Sequence, residues 1–135
     1  MSSLDTLFDL SVLRTVLARE LDQPLSLHGL SLSDLALLRE LRSTDDGKLR
    51  RSELAQRLGI TPSGVARQVA PLERMGLVAR ESHERDARLA LVVLTETGLR
   101  VVDEALATAD VAADRAFAAR WSPVERERLA ELVAR

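Results

Sequence analysis

The stretch that most constrains this chain is LGITPS, at positions 58–63. Gly59 ends a helix cheaply because glycine adopts the left-handed conformation at little cost. Two residues later Thr61 offers an N-cap oxygen, and Pro62 stands at a first helical position, where a missing N–H costs nothing. A helix SELAQRL opened by Ser52 is therefore followed at once by a second helix, from Pro62 to about Met75. Two helices joined by about three residues with a glycine have helix-turn-helix spacing. Leu54, Ala55, Leu58, Ile60, Val65, Val69 and Leu72 form the expected buried face, which leaves Ser63, Gly64, Arg67, Gln68 and Pro71 outward. Pro71 cannot bond the carbonyl of Arg67, so a bend is expected there, with any contacts of the second helix concentrated before it.

Gly76 closes that helix, and the hydrophobic period then changes from 3.6 to about two. Leu77–Glu81 and Leu89–Leu94 read as antiparallel strands around the charged loop SHERDAR, a β-hairpin. Thr95 caps a long helix running to about Arg120 through Leu99, Val102, Leu106, Ala109 and Ala113. Ser122, Pro123 and Glu125 supply a cap, a first-turn proline and a capping-box partner for a last helix ending near Ala134. Upstream, Leu7, Leu10, Leu13, Leu17 and Leu21 mark an amphipathic helix from Leu4 to about Leu21, followed by a loop, DQPLSLHG. Ser31, with Asp34 three positions on, caps a helix to about Arg42, and STDDG at 43–47 is a turn. The expected fold is mainly α with a small β-hairpin. It is a single domain over 1–135, with a winged helix-turn-helix lobe at about 31–95 flanked by helices at about 4–22 and 96–135.

Apolar residues make up 46% of the chain and aromatics only 2%, so its core has to be built from Leu, Val and Ala at helical spacing. The absence of cysteine excludes disulfides and thiolate metal sites and suits a cytoplasmic location. No run of eighteen apolar residues is present, and MSSLDTLFDL lacks a signal-peptide pattern, so neither export nor membrane insertion is expected. An enzyme is not expected either: there is no glycine-rich phosphate loop, no G-x-S-x-G elbow, and only two separate histidines. His83 with Glu84 and Asp86 is too ordinary a loop cluster to imply a metal, and no cofactor is expected.

The net charge of −2 runs against nucleic-acid binding until its distribution is read. Lys48–Arg88 carries nine basic and five acidic residues, a local +4, while the remainder of the chain sums to −6. A basic middle between acidic ends is what a DNA-facing module carried on a helical scaffold shows.

SELAQRLGITPSGVARQVAPLERMGLVARESHERDARLALVVLTETG, from Ser52 to Gly98, resembles the multiple antibiotic resistance regulator (MarR) family. The likeness lies in the Leu-Ala-x-x-Leu-Gly turn, the Ser-x-Val-x-Arg reading helix, Leu-Glu-x-x-Gly-Leu-Val before the wing, Asp-x-Arg at its tip, and Leu-Thr-x-x-Gly after it. The resemblance implies a homodimeric transcriptional regulator, a repressor on double-stranded DNA. Its terminal helices would interlock with those of a second copy, and its reading helices would enter successive major grooves of a pseudo-palindrome. The competing function is a dimerising adaptor without sequence-specific DNA binding.

Arg67 is the principal candidate contact, able to fork onto a guanine edge or hold a phosphate; the plainer alternative is an exposed arginine paired with Glu73 or another neighbour. Gln68 can pair with adenine or be an ordinary outward residue, and Ser63 can reach a phosphate or bond locally at the helix end. Thr61 serves first as a cap and second as a contact. The resemblance places Arg88 in the minor groove with Asp86 orienting it, Arg85 being the substitute if the register shifts by one; a narrow minor groove attracts such a cation. Arg80 and Arg50 are phosphate contacts or plain surface charge. The family often takes small-molecule effectors where the outer helices meet the DNA-binding lobe, which nominates Leu10, Arg14 and His28.

Overall fold

A computed structural model describes residues 1–82, 85, 86 and 89–135. Helix α1 (Ser3–Leu25) leads through a 3-10 turn (Ser26–His28) to α2 (Leu32–Arg42) and strand β1 (Lys48–Arg50). Then come α3 (Arg51–Leu58), α4 (Pro62–Arg74), β2 (Val78–Glu81), β3 (Leu91–Leu94), α5 (Glu96–Ala118) and α6 (Pro123–Val133). The three strands form one antiparallel sheet in the order β1-β3-β2.

The helix starts follow from short-range chemistry. Ser2, Ser31 and Ser122 each accept a bond from the N3 amide, while the carboxylates of Asp5, Asp34 and Glu125 accept one from the cap N–H. Thr61 and Thr95 accept from Gly64 and Gly98, both at 3.0 Å. Gly59, at φ 67°, ends α3, and the Ile60 amide reaches back to the Ala55 carbonyl at 3.0 Å. That bond closes the last turn and fixes the angle at which α4 leaves.

Several sequence expectations are corrected. Helix α1 runs on through Pro24 to Leu25 instead of ending near Leu21. Pro24 forfeits one hydrogen bond, but the extra turn places Leu25 beneath Leu21 in the core, and burying one leucine contributes about 2 kcal/mol. The hairpin has a third strand, β1, which pairs Lys48, Leu49 and Arg50 with Val93, Val92 and Leu91. Three residues are too few to display an alternating pattern, and only the pairing with β3 makes them a strand. Arg50, not Ser52, is the residue before α3, with Glu53 accepting from its amide at 3.1 Å. The strand limits contract to Val78 and Leu91.

The core joins the inward faces of α2, α3, α4 and α5 to the sheet, through Leu35, Leu38, Leu54, Val65, Val69, Leu72, Val78, Val92 and Val102. Ile60, expected inside, is 42% exposed, lying just before the cap of α4. The outer helices are different. Leu4, Leu7, Phe8, Leu10 and Val12 of α1 are exposed, and α6 buries no residue. Between α1, the end of α5 and α6 runs an apolar groove of about 480 Å³ lined by Leu10, Leu13, Leu17, Phe117, Trp121 and Leu129. No helix among the described residues is long and apolar enough to cross a membrane.

Candidate nucleic-acid interface

The turn between α3 and α4 holds α4 with Val65, Val69 and Leu72 buried, so its opposite face is turned outward. Ser63 and Arg67 are exposed on that face, and Gln68 is half-buried at its edge. Arg67 makes no ion pair among the described residues. Glu73, six residues on and on another face of the helix, binds Arg80 Nε of β2 at 3.0 Å. The strongest sequence candidate thus presents an uncommitted fork with up to five N–H donors.

Thr61 and Ser63 act together at the helix start. Thr61 Oγ1 accepts from the Gly64 amide and lies 3.2 Å from Ser63 Oγ. The capping role of Thr61 is present in the structure, and Ser63 has the local bond weighed against a phosphate contact. Pro71 does not end α4: the helix continues to Arg74, and the Met75 amide bonds the Pro71 carbonyl at 3.0 Å. The proline is exposed, so the Arg67 carbonyl that lacks an internal donor is on the solvent side, where water can satisfy it.

Arg50 closes β1 and lies 4.0 Å from Glu53, both half-exposed. Lys48 of β1 reaches over β3 to Glu81 of β2 at 2.9 Å, and that carboxylate holds the ammonium above its ordinary pKa. This strap ties the outer strands of the wing together. In the loop, Arg85 is exposed and Asp86 half-buried, with the Asp86 carbonyl accepting from Leu89. Arg88, the expected minor-groove residue, lies outside the described residues, as does His83.

The three residues nominated for an effector are split. Leu10 and Arg14 line the apolar groove, in company with Arg126, whose Nε is buried without a hydrogen-bond partner among the described residues. His28 is engaged elsewhere, its Nε2 lying 2.7 Å from Thr108 Oγ1 on α5.

Arg51 and Ser82 were missed by sequence reasoning. Together with Arg80 and Ala66 they line a cleft of about 170 Å³ between α4 and the wing. Nothing local distinguishes Arg51 from its neighbour Arg50, and only the packing of α3 against α4 and β1 brings its side chain to the cleft.

A helix-turn-helix with an outward second helix, followed directly by a three-stranded wing, defines the winged helix-turn-helix class. The MarR family model matches residues 28–89. An uncharacterised HTH-type transcriptional regulator of Mycobacterium leprae is 35% identical over 97 residues, 72% of this chain and 66% of that protein, so the matched part falls just short of two thirds of the relative. A MarR-family regulator of Streptomyces coelicolor solved in complex with DNA is 28% identical, covers 99% of this chain and 86% of its own, and superposes with a TM-score of 0.83. CouR of Rhodococcus jostii, solved with p-coumaroyl-CoA, is 26% identical over 96% of this chain and 89% of its own, at a TM-score of 0.79. Residues 28–89 thus carry the MarR-family signature, and the fold of nearly the whole chain is that of a solved MarR-family regulator.

Proposed function

We propose that the protein is a homodimeric, sequence-specific DNA-binding repressor, cytoplasmic and without catalytic activity, acting at a pseudo-palindromic operator. The observation that carries this reading is the outward face of α4, on which the exposed Arg67 has no ion pair among the described residues. Ser63 and Gln68 flank it as phosphate and base contacts, with Thr61 behind them as the cap. Arg50, Arg80, Arg85 and, in the wing, Asp86 and Arg88 complete the expected footprint. The segregated +4 of residues 48–88 supplies the long-range attraction.

Dimerisation is supported by the outer helices. Leu4, Leu7, Phe8 and Leu10 of α1 and Val124, Leu132 and Val133 of α6 are exposed apolar side chains, and a second copy of the same helices matches them and the groove between them chemically. A two-fold axis through those helices puts two reading helices about 34 Å, or roughly 10 bp, apart. The decisive experiment is selection of binding sites from random duplex DNA. Enrichment of an inverted repeat with that spacing supports the reading; no enrichment favours a dimerising adaptor.

Release by a small-molecule effector completes the proposal. Leu10 and Arg14 in the groove, with Arg126 beside them, combine apolar walls with cationic groups suited to an aromatic acid, while His28, bonded to Thr108, stands apart from it. A thermal-shift screen of phenolic and other aromatic compounds, repeated with operator DNA present, tests it: an effector raises the melting temperature and lowers DNA affinity.

A further inference from the structure

The cleft between α4 and the wing has an apolar floor of Val69, Leu91 and Val92 and two guanidinium groups, Arg51 from the first turn of α3 and Arg80 from β2. These arginines come from separate elements, and like charges brought to one cleft repel unless an anion lies between them. Arg80 is partly neutralised by Glu73 at 3.0 Å, whereas Arg51 has no ion pair or hydrogen bond among the described residues. The small side chains of Ala66 and Ser82 leave the cleft open, and the Ser82 hydroxyl adds a donor. A phosphodiester meets this chemistry closely, since it is a compact anion that two arginines can grip through several N–H groups. The cleft also adjoins the reading helix, where a DNA strand that engages Arg67 would pass.

We infer that this cleft seats a DNA backbone phosphate, with Arg51 and Arg80 as its two cations and Glu73 as the carboxylate that the phosphate displaces. The inference rests on the DNA-binding reading above. It makes Arg51 a direct contact, and it makes Glu73 a brake: Glu73 holds Arg80 in the free protein and weakens DNA binding irrespective of sequence. The Glu73–Arg80 pair is about half exposed, so exchanging its carboxylate for a phosphate costs little.

The test measures fluorescence anisotropy of the full chain with two labelled duplexes, the selected site and a scrambled sequence, across a salt series from about 50 to 200 mM. Arg51→Ala is expected to weaken both duplexes by the same factor, about 5- to 10-fold, and to reduce the slope of log affinity against log salt by about one. Glu73→Gln is expected to tighten both by about 2- to 5-fold, and Arg80→Ala in the Glu73→Gln background to cancel that gain. Circular dichroism melts matched to the parent separate lost contacts from lost folding, and the gain in Glu73→Gln has no explanation in misfolding. An Arg51→Ala protein that binds like the parent, or one that loses only the selected site, overturns the phosphate seat. Weaker binding by Glu73→Gln overturns the brake, because Glu73 would then be orienting Arg80 for DNA. A parent protein that binds neither duplex refutes the DNA-binding reading itself, an outcome distinct from a parent that binds and variants that match it.

Discussion

The backbone of Gly98 lies directly against the carbonyl of Leu77: a Cβ at position 98 would come within 2.0 Å of that oxygen. Thr95 fastens the same junction, its Oγ1 donating to the Gly76 and Leu77 carbonyls at 2.7 and 3.1 Å while accepting from the Gly98 amide. The start of α5 is thus riveted to the turn between the reading helix and the wing. Because the obstacle at 98 is backbone, Gly98→Ala is expected to destabilise the fold by about 3 kcal/mol, the upper part of the overpacking range. Urea denaturation checks it, and a cost under about 1 kcal/mol would show that α5 can lift off the turn freely.

Arg67 and Arg80 are expected to fail differently. Arg67→Ala abolishes discrimination between the selected site and a scrambled duplex, while Arg80→Ala weakens both equally and lowers the salt slope by about one. Competition binding with the two duplexes measures this. An Arg67→Ala protein that keeps its preference would move base reading to another residue.

Pro71 lies on the exposed side of α4 and leaves the Arg67 carbonyl without a helical donor. Pro71→Ala restores that bond and is expected to raise stability by about 1 kcal/mol, a part of the usual interior proline penalty because three residues of helix follow it. A lowered melting temperature would mean that proline's rigidity in the unfolded chain outweighs the missing bond.

Phe8, on the N-terminal half of α1, is 61% exposed in a single subunit. If the outer helices form the dimer, Phe8→Asp buries a charge in the interface and shifts the protein to monomer at micromolar concentration while leaving it helical. Sedimentation velocity reads the change directly. Identical sedimentation of parent and variant would place the interface elsewhere.

Glu20 and Arg120 join α1 to the end of α5 through paired hydrogen bonds, one of them at 3.0 Å. The guanidinium holds the Glu20 carboxyl below its ordinary value of 4.5. Between the folded and unfolded pKa the unfolded chain binds the additional proton, so stability rises with pH through that window. The contribution is therefore complete above about pH 5 and lost as pH falls through the folded value. Glu20→Gln is expected to melt slightly below the parent at pH 7 and to close that gap as the pH falls through the folded pKa of Glu20, the small difference reflecting an exposed pair. A gap that persists at low pH would assign the effect to packing.

What the sequence determined by itself is the punctuation of the chain: the caps at Ser31, Thr61, Thr95 and Ser122, the turn at Gly59 and the switch to strands after Gly76. Each depends on bonds spanning three to five residues, so residue type and spacing suffice to specify it, and the winged helix-turn-helix follows from their order. Only the tertiary structure decided matters that depend on distant neighbours. Lys48–Arg50 became a strand because β3 pairs with it, and Pro24 stayed helical because Leu25 had a core to enter. Glu73 took Arg80 from the wing, and Arg51 was brought to a cleft from another element. Charged side chains are long and their pairings weak, so which partner each takes is settled by where the packed elements place the alternatives. The outward helix at LGITPS was legible from six residues, and the uncommitted arginine on it was not.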